Sequence, residues 1–154
     1  MQYAIRTEQV NPAPIAVVRR HARANELSRV VPEACGTVWS ALKAAGVKGG
    51  RHVAIYRMNP DGQFDLEIGA EVGDAFPGKG DVVGSTLPGG QVATTTHFGP
   101  YNRLGEAHQA VQDWCKANNR TPVEPCWEVY GHWVDEWNKD PSRIRTDVFY
   151  PLKN

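Results

Sequence analysis

Cysteine is scarce in this sequence: Cys35, Cys115 and Cys126 are the only three, and no CxxC pair occurs. An odd, scattered set excludes a disulfide framework and reads as reduced thiols packed as small apolar groups. The five histidines, His21, His52, His97, His108 and His132, show no HExxH or comparable ligand spacing. No metal site and no cofactor is therefore expected. No apolar run approaches the roughly 20 residues that a membrane helix needs. The opening MQYAIRTEQV lacks the charged-then-apolar order of a secretory signal, so a cytoplasmic location is expected. An excess of either charge is missing too: 17 Lys and Arg balance 17 Asp and Glu, and the basic residues are dispersed. That removes the electrostatic footprint of a protein that grips nucleic acid. No Ser-His-Asp ordering, phosphate loop or paired-carboxylate motif stands out.

What the chain does contain is an internal resemblance. A strand-like stretch at Pro14–Arg20 leads to a helical run, then to strands at His52–Arg57 and Phe64–Val72. Gly90–Phe98, a second helical run, Trp127–His132 and Ile144–Leu152 repeat that order. Glu33-Ala34, Val38 and Lys43-Ala44 match Glu106-Ala107, Val111 and Lys116-Ala117 at one offset, with Tyr56 opposite Tyr130 and Glu67 opposite Asp147. With lead-in strands at Tyr3–Val10 and Asp81–Thr86, the expectation is one α+β domain over residues 1–154 with pseudo-repeats at about 1–73 and 81–154. Each is a strand-helix-strand-strand unit with a lead-in strand, giving an antiparallel sheet of about eight strands with two main helices on one face. The length of 154 residues suits one domain.

The first helix is expected from Pro32, whose ring suits a first helical position, to Gly46, with Ala34, Val38, Ala41/Leu42 and Ala45 forming its apolar stripe. Leu104, Ala107, Val111 and Trp114 form the stripe of the second, and Trp114 is assigned to the core. Turn chemistry at Asn59-Pro-Asp-Gly62, Leu87-Pro-Gly-Gly90 and Asn138-Lys-Asp-Pro141 separates strands, and short turns imply antiparallel neighbours. Gly73–Gly80 reads as the linker between halves.

Two units with one helix each leave a cleft between the helices, and ligand sites favour such places. Along Trp127-Glu128-Val129-Tyr130 the period of two puts Glu128 and Tyr130 on one face. If that face is the helix side, Glu128 is a carboxylate on an apolar surface where the first half has Ala54. The plainer account, and the first in order on residues alone, pairs Glu128 with Arg19, Arg57 or Arg145, or turns it to water. The sharper account holds it partly desolvated for a cationic or hydrogen-bond-donating ligand. Candidate ring partners are Trp39, Tyr56, Phe98, Tyr101, Tyr130 and Trp133, although for any one of these rings ordinary core packing is the first reading. Gly99 and Pro100 in His97-Phe-Gly-Pro-Tyr101 set a turn that brings Tyr101 to the entrance of the second helix.

HFGPY at 97–101, WEVY at 127–130 and IRTDVFYPL at 144–152 resemble the GyrI-like small-molecule-binding family, the effector-binding domain joined to AraC-type and MerR-type regulators. The resemblance spans almost the whole chain, although HARANEL replaces the second half's HFGPYNRL in the first. It implies two helices over one face of an antiparallel sheet and a cleft in which a glutamate, at the position of Glu128, meets aromatic cations. The position of pocket rings varies across the family, so Tyr56, Trp39 and Trp133 carry over less directly than Glu128. A helix-turn-helix region is missing, which points to a stand-alone domain that senses or sequesters a hydrophobic drug or toxin. Its partner would be a small organic ligand, aromatic or cationic in kind, without direct nucleic-acid or membrane contact. Two alternatives stay open: a hydrolase of a reactive toxin with Glu128 as general acid or base, and a protein-interaction module such as a gyrase inhibitor.

Overall fold

A computed structural model of the chain describes residues 3–132 and 134–153. Among these residues lie eight strands: β1 (Arg6–Val10), β2 (Ala13–Ala22), β3 (Gly49–Met58), β4 (Phe64–Val72), β5 (Val83–Leu87), β6 (Gly90–Phe98), β7 (Cys126–Tyr130) and β8 (Arg145–Pro151). Two main helices, α1 (Leu27–Ala44) and α2 (Leu104–Ala117), and a single turn, α3 (Glu136–Lys139), complete an α+β fold. None of these helices is long and apolar enough to cross a membrane.

The chain divides into two compact units, one formed by residues 11–89 and the other by those up to Val10 with those from Gly90 onward. In the first, strands in the order β3-β4-β2-β5 pair antiparallel throughout. Val30, Ala34, Val38 and Leu42 recur every four residues along α1 and are buried. The second has the order β1-β6-β8-β7, again antiparallel, with Leu104, Ala107, Val111 and Cys115 as the buried stripe of α2. Ala93, Val148, Tyr150 and Leu152 complete that core.

Several expectations are corrected. Helix α1 begins five residues before Pro32, which lies inside it. The first turn has donors to spare, so a proline one turn in removes only one backbone bond and the preceding residues still wind as helix. The helix stops where expected, at Gly46, whose φ of +70° is a left-handed conformation that glycine adopts without strain. Ala41 and Ala45 lie off the buried face. Trp114 is only half-buried, packing on the rim of the α2 core while Cys115 fills the stripe.

The connection through Pro88 and Gly89 is not a hairpin, because β5 pairs with β2 and β6 with β1 and β8. Asn11-Pro12, between β1 and β2, behaves in the same way. Proline holds each link extended and removes a donor, so neither closes the positive-φ turn that a two-residue hairpin needs. The lead-in strands are thereby exchanged relative to chain order: β1 joins the second half and β5 the first. Gly73–Gly80 consequently lies within one unit, with Phe76 buried and Lys79 bridged to Val82.

Candidate functional site

The site is built on the second unit. Register sets Glu128 opposite Val148 and Tyr130 opposite Thr146, and Val148 faces α2. Alternation then turns Cys126, Glu128 and Tyr130 toward the helix, and Trp127 and Val129 the other way. On that opposite face the Trp127 and Phe149 rings stack at 5.4 Å, 12° from parallel. Glu128 therefore stands on the helix side, with only 4 % of its surface exposed.

A buried carboxylate needs donors, and this one has them. The Tyr130 hydroxyl donates to Glu128 Oε1 at 2.5 Å. His108, on α2, brings Nε2 to 2.5 Å from Oε2. Behind the imidazole, Nδ1 lies 2.6 Å from the Tyr150 hydroxyl, whose oxygen accepts from the Gln112 amide at 3.1 Å. Positions 108 and 112 fall on one side of the helix because four residues make about one turn. Burial pushes the Cys126 thiol up to about 11, with the Glu128 charge adding to the effect. Burial also raises Tyr150, with Cys126 second. Both groups stay protonated at neutral pH, so the thiol is no ready nucleophile. The Thr146 hydroxyl, opposite Tyr130, is fully buried and has no hydrogen-bond partner among the described residues.

Tyr101 reaches this neighbourhood as expected. Gly99 adopts a φ of +142° and donates its N–H to the Ile144 carbonyl, and Pro100 then leads into a helical turn at Tyr101–Arg103. The Tyr101 ring is 45 % exposed and meets Tyr130 edge-on at 5.9 Å. Phe98 does not join Glu128: it alternates with His97, shares a face with Thr96 and pairs with Arg145, which puts it on the face away from α2, half exposed. Trp39 and Tyr56 belong to the other unit. Trp39 is exposed and tilts against His52 at 5.5 Å, while Tyr56 is buried and meets Phe64 edge-on. Trp133 lies outside the described residues.

The pairing of Glu128 with an in-sheet arginine can be compared directly. Arg57 binds Glu67 and Arg145 binds Asp147, both carboxylates on strands β4 and β8. His108, Tyr150 and Gln112 were missed by sequence reasoning. The available signal was a histidine beside the apolar stripe of α2, four positions from a second polar residue.

No group of three or more His, Cys, Asp or Glu that could hold a metal occurs among the described residues. The three cysteines are free thiols.

A duplicated α+β fold with a donor-held carboxylate under a helix is the frame of a ligand-binding domain. The chain belongs to the family of the GyrI-like small molecule binding domain, whose model matches residues 3–153. Among solved structures it is similar to the EcmrR C-terminal domain, with 18% identity, a TM-score of 0.81 and coverage of 100% of this chain and 99% of that one. In the EcmrR–DNA complex the likeness covers 99% of this chain and 58% of that one, at 18% identity and a TM-score of 0.77. SAV2435 bound to tetraphenylphosphonium matches at 13% identity and a TM-score of 0.67, over 100% and 95% of the two chains. A hydrolase from Listeria innocua matches at 9% identity and a TM-score of 0.62, over 97% and 91%. At these identities the likeness is one of fold. No curated protein matches the sequence.

Proposed function

We propose that the domain captures a lipophilic cation beside Glu128, as a module for sensing or sequestering a drug or toxin. The observation that carries the reading is the setting of Glu128: 4 % exposed, facing α2, with the Tyr130 hydroxyl at one oxygen and the His108 ring at the other. These partners fix the orientation of the carboxylate under the helix, where a cation would meet it. The edge-on Tyr101 and Tyr130 rings add faces that favour a cation by roughly 0.5–2 kcal/mol. The likeness to a protein solved with tetraphenylphosphonium supports this ligand class.

Titration with tetraphenylphosphonium, followed by tryptophan fluorescence, tests the reading. Saturable binding is expected, weakened about tenfold or more in Glu128→Gln, which corresponds to about 1.4 kcal/mol. Binding of equal strength in both proteins, or none in either, contradicts it. The hydrolytic alternative requires something further: turnover of a strained electrophile that disappears in Glu128→Gln.

A further inference from the structure

We propose that Gln112, Tyr150 and His108 form a one-way hydrogen-bond relay that fixes His108 as its Nε2–H tautomer, making it the positioning residue through which the site discriminates by charge. The proposal deepens the ligand reading above and rests on it for the discrimination, but not for the relay.

The direction follows from what each group can do. The amide nitrogen of Gln112 only donates, and it donates to the Tyr150 oxygen at 3.1 Å. Two acceptors lie beside the Tyr150 hydroxyl, the Cys126 sulfur and Nδ1 of His108; the imidazole nitrogen, at 2.6 Å, is much the stronger and takes the hydrogen. With Nδ1 accepting, the ring proton sits on Nε2, 2.5 Å from an oxygen of Glu128 that accepts in its carboxylate form. Every bond then points toward Glu128, and the imidazole orients the carboxylate through its Nε2–H. A doubly protonated ring in the same place would cancel the charge that attracts a cation.

The other titratable groups that face α2 from β6 and β7 are Cys126 and Tyr130 of β7 and His97 of β6, while Arg145 and Asp147 of β8 lie on the opposite face. His97 is occupied by the Tyr3 hydroxyl and the Pro100 carbonyl. Gln112 itself is exposed, at the outer end of the chain of bonds, so it can be changed without reshaping the core.

The test is 15N NMR of the histidine side chains in the ligand-free protein, with His108→Gln assigning the resonances. It is paired with affinities for tetraphenylphosphonium and for neutral triphenylphosphine oxide. The wild type should show a bare Nδ1 and a protonated Nε2. In Gln112→Glu the new carboxylate takes the Tyr150 hydrogen, the Tyr150 oxygen faces Nδ1, and Nδ1 becomes an N–H. The ratio of cation to neutral affinity should then fall about tenfold. Tyr150→Phe supplies a second variant, in which Nδ1 loses its donor and the single-tautomer spectrum should be lost. A wild-type ring protonated at Nδ1, or spectra unchanged in both Gln112→Glu and Tyr150→Phe, overturns the relay. Failure of the wild type to bind the phosphonium removes the ligand reading and the discrimination with it, while the spectrum still decides the relay.

Discussion

The Tyr150 hydroxyl stands 2.6 Å from Nδ1 of His108, on the side of the imidazole turned away from Glu128. Removing it leaves that ring nitrogen without its hydrogen-bond partner. Tyr150→Phe should therefore cost about 1–2 kcal/mol in urea denaturation, the usual penalty for an orphaned, part-buried acceptor. A midpoint equal to that of the wild type would mean that the bond contributes nothing to the fold.

Cys126 should be slow to alkylate. Its thiol is pushed up to about 11 by burial and then by the Glu128 charge, so at pH 8 thiolate is scarcer than in an ordinary cysteine by about two orders of magnitude. Iodoacetamide modification followed by mass spectrometry should rise with pH well beyond 9. A rate plateau near pH 8 would contradict the environment described for this residue.

Thr146 offers a substitution in the stabilising direction. A hydroxyl buried without a partner costs about 1–3 kcal/mol, and valine has the same shape without it. Thr146→Val should hold or raise the thermal midpoint. A marked fall would reveal a bond that Thr146 makes in solution.

On the surface, the carboxylate of Asp65 and then the Gln63 amide oxygen raise His21 above its ordinary value, while His21 lowers Asp65. A raised imidazole contributes its stability below the unfolded value and loses it as pH climbs through the folded one. By NMR, the His21 midpoint should drop in Asp65→Asn. An identical midpoint in both proteins would show that the pair is not formed.

The period of two along Trp127–Tyr130 placed Glu128 and Tyr130 together, and the structure adds that their face is the one under α2. The matched positions Glu67 and Asp147 turn out to have matching roles: each is tied to a hydroxyl, Ser85 or Thr96, and to an arginine, Arg57 or Arg145. The exchange of β1 and β5 was hidden, because turn residues report where the chain leaves a strand and not which strand it next pairs with. His108 was hidden for a related reason: a polar residue at the edge of a helical stripe reads as a solvated flank until the strand beneath it is known. Phe98 went astray through adjacency in the HFGPY run, since neighbouring strand residues face opposite ways.

The central claim, that Glu128 is where a lipophilic cation is held, is tested most directly by a crystal of the protein with tetraphenylarsonium, whose arsenic is located by anomalous scattering. The expected peak lies on the α2 side of β7, within roughly 6 Å of the Tyr130 or Tyr101 ring and beside the Glu128 carboxylate. A peak on the Trp127 face, or at a site equally occupied in Glu128→Gln, would contradict it.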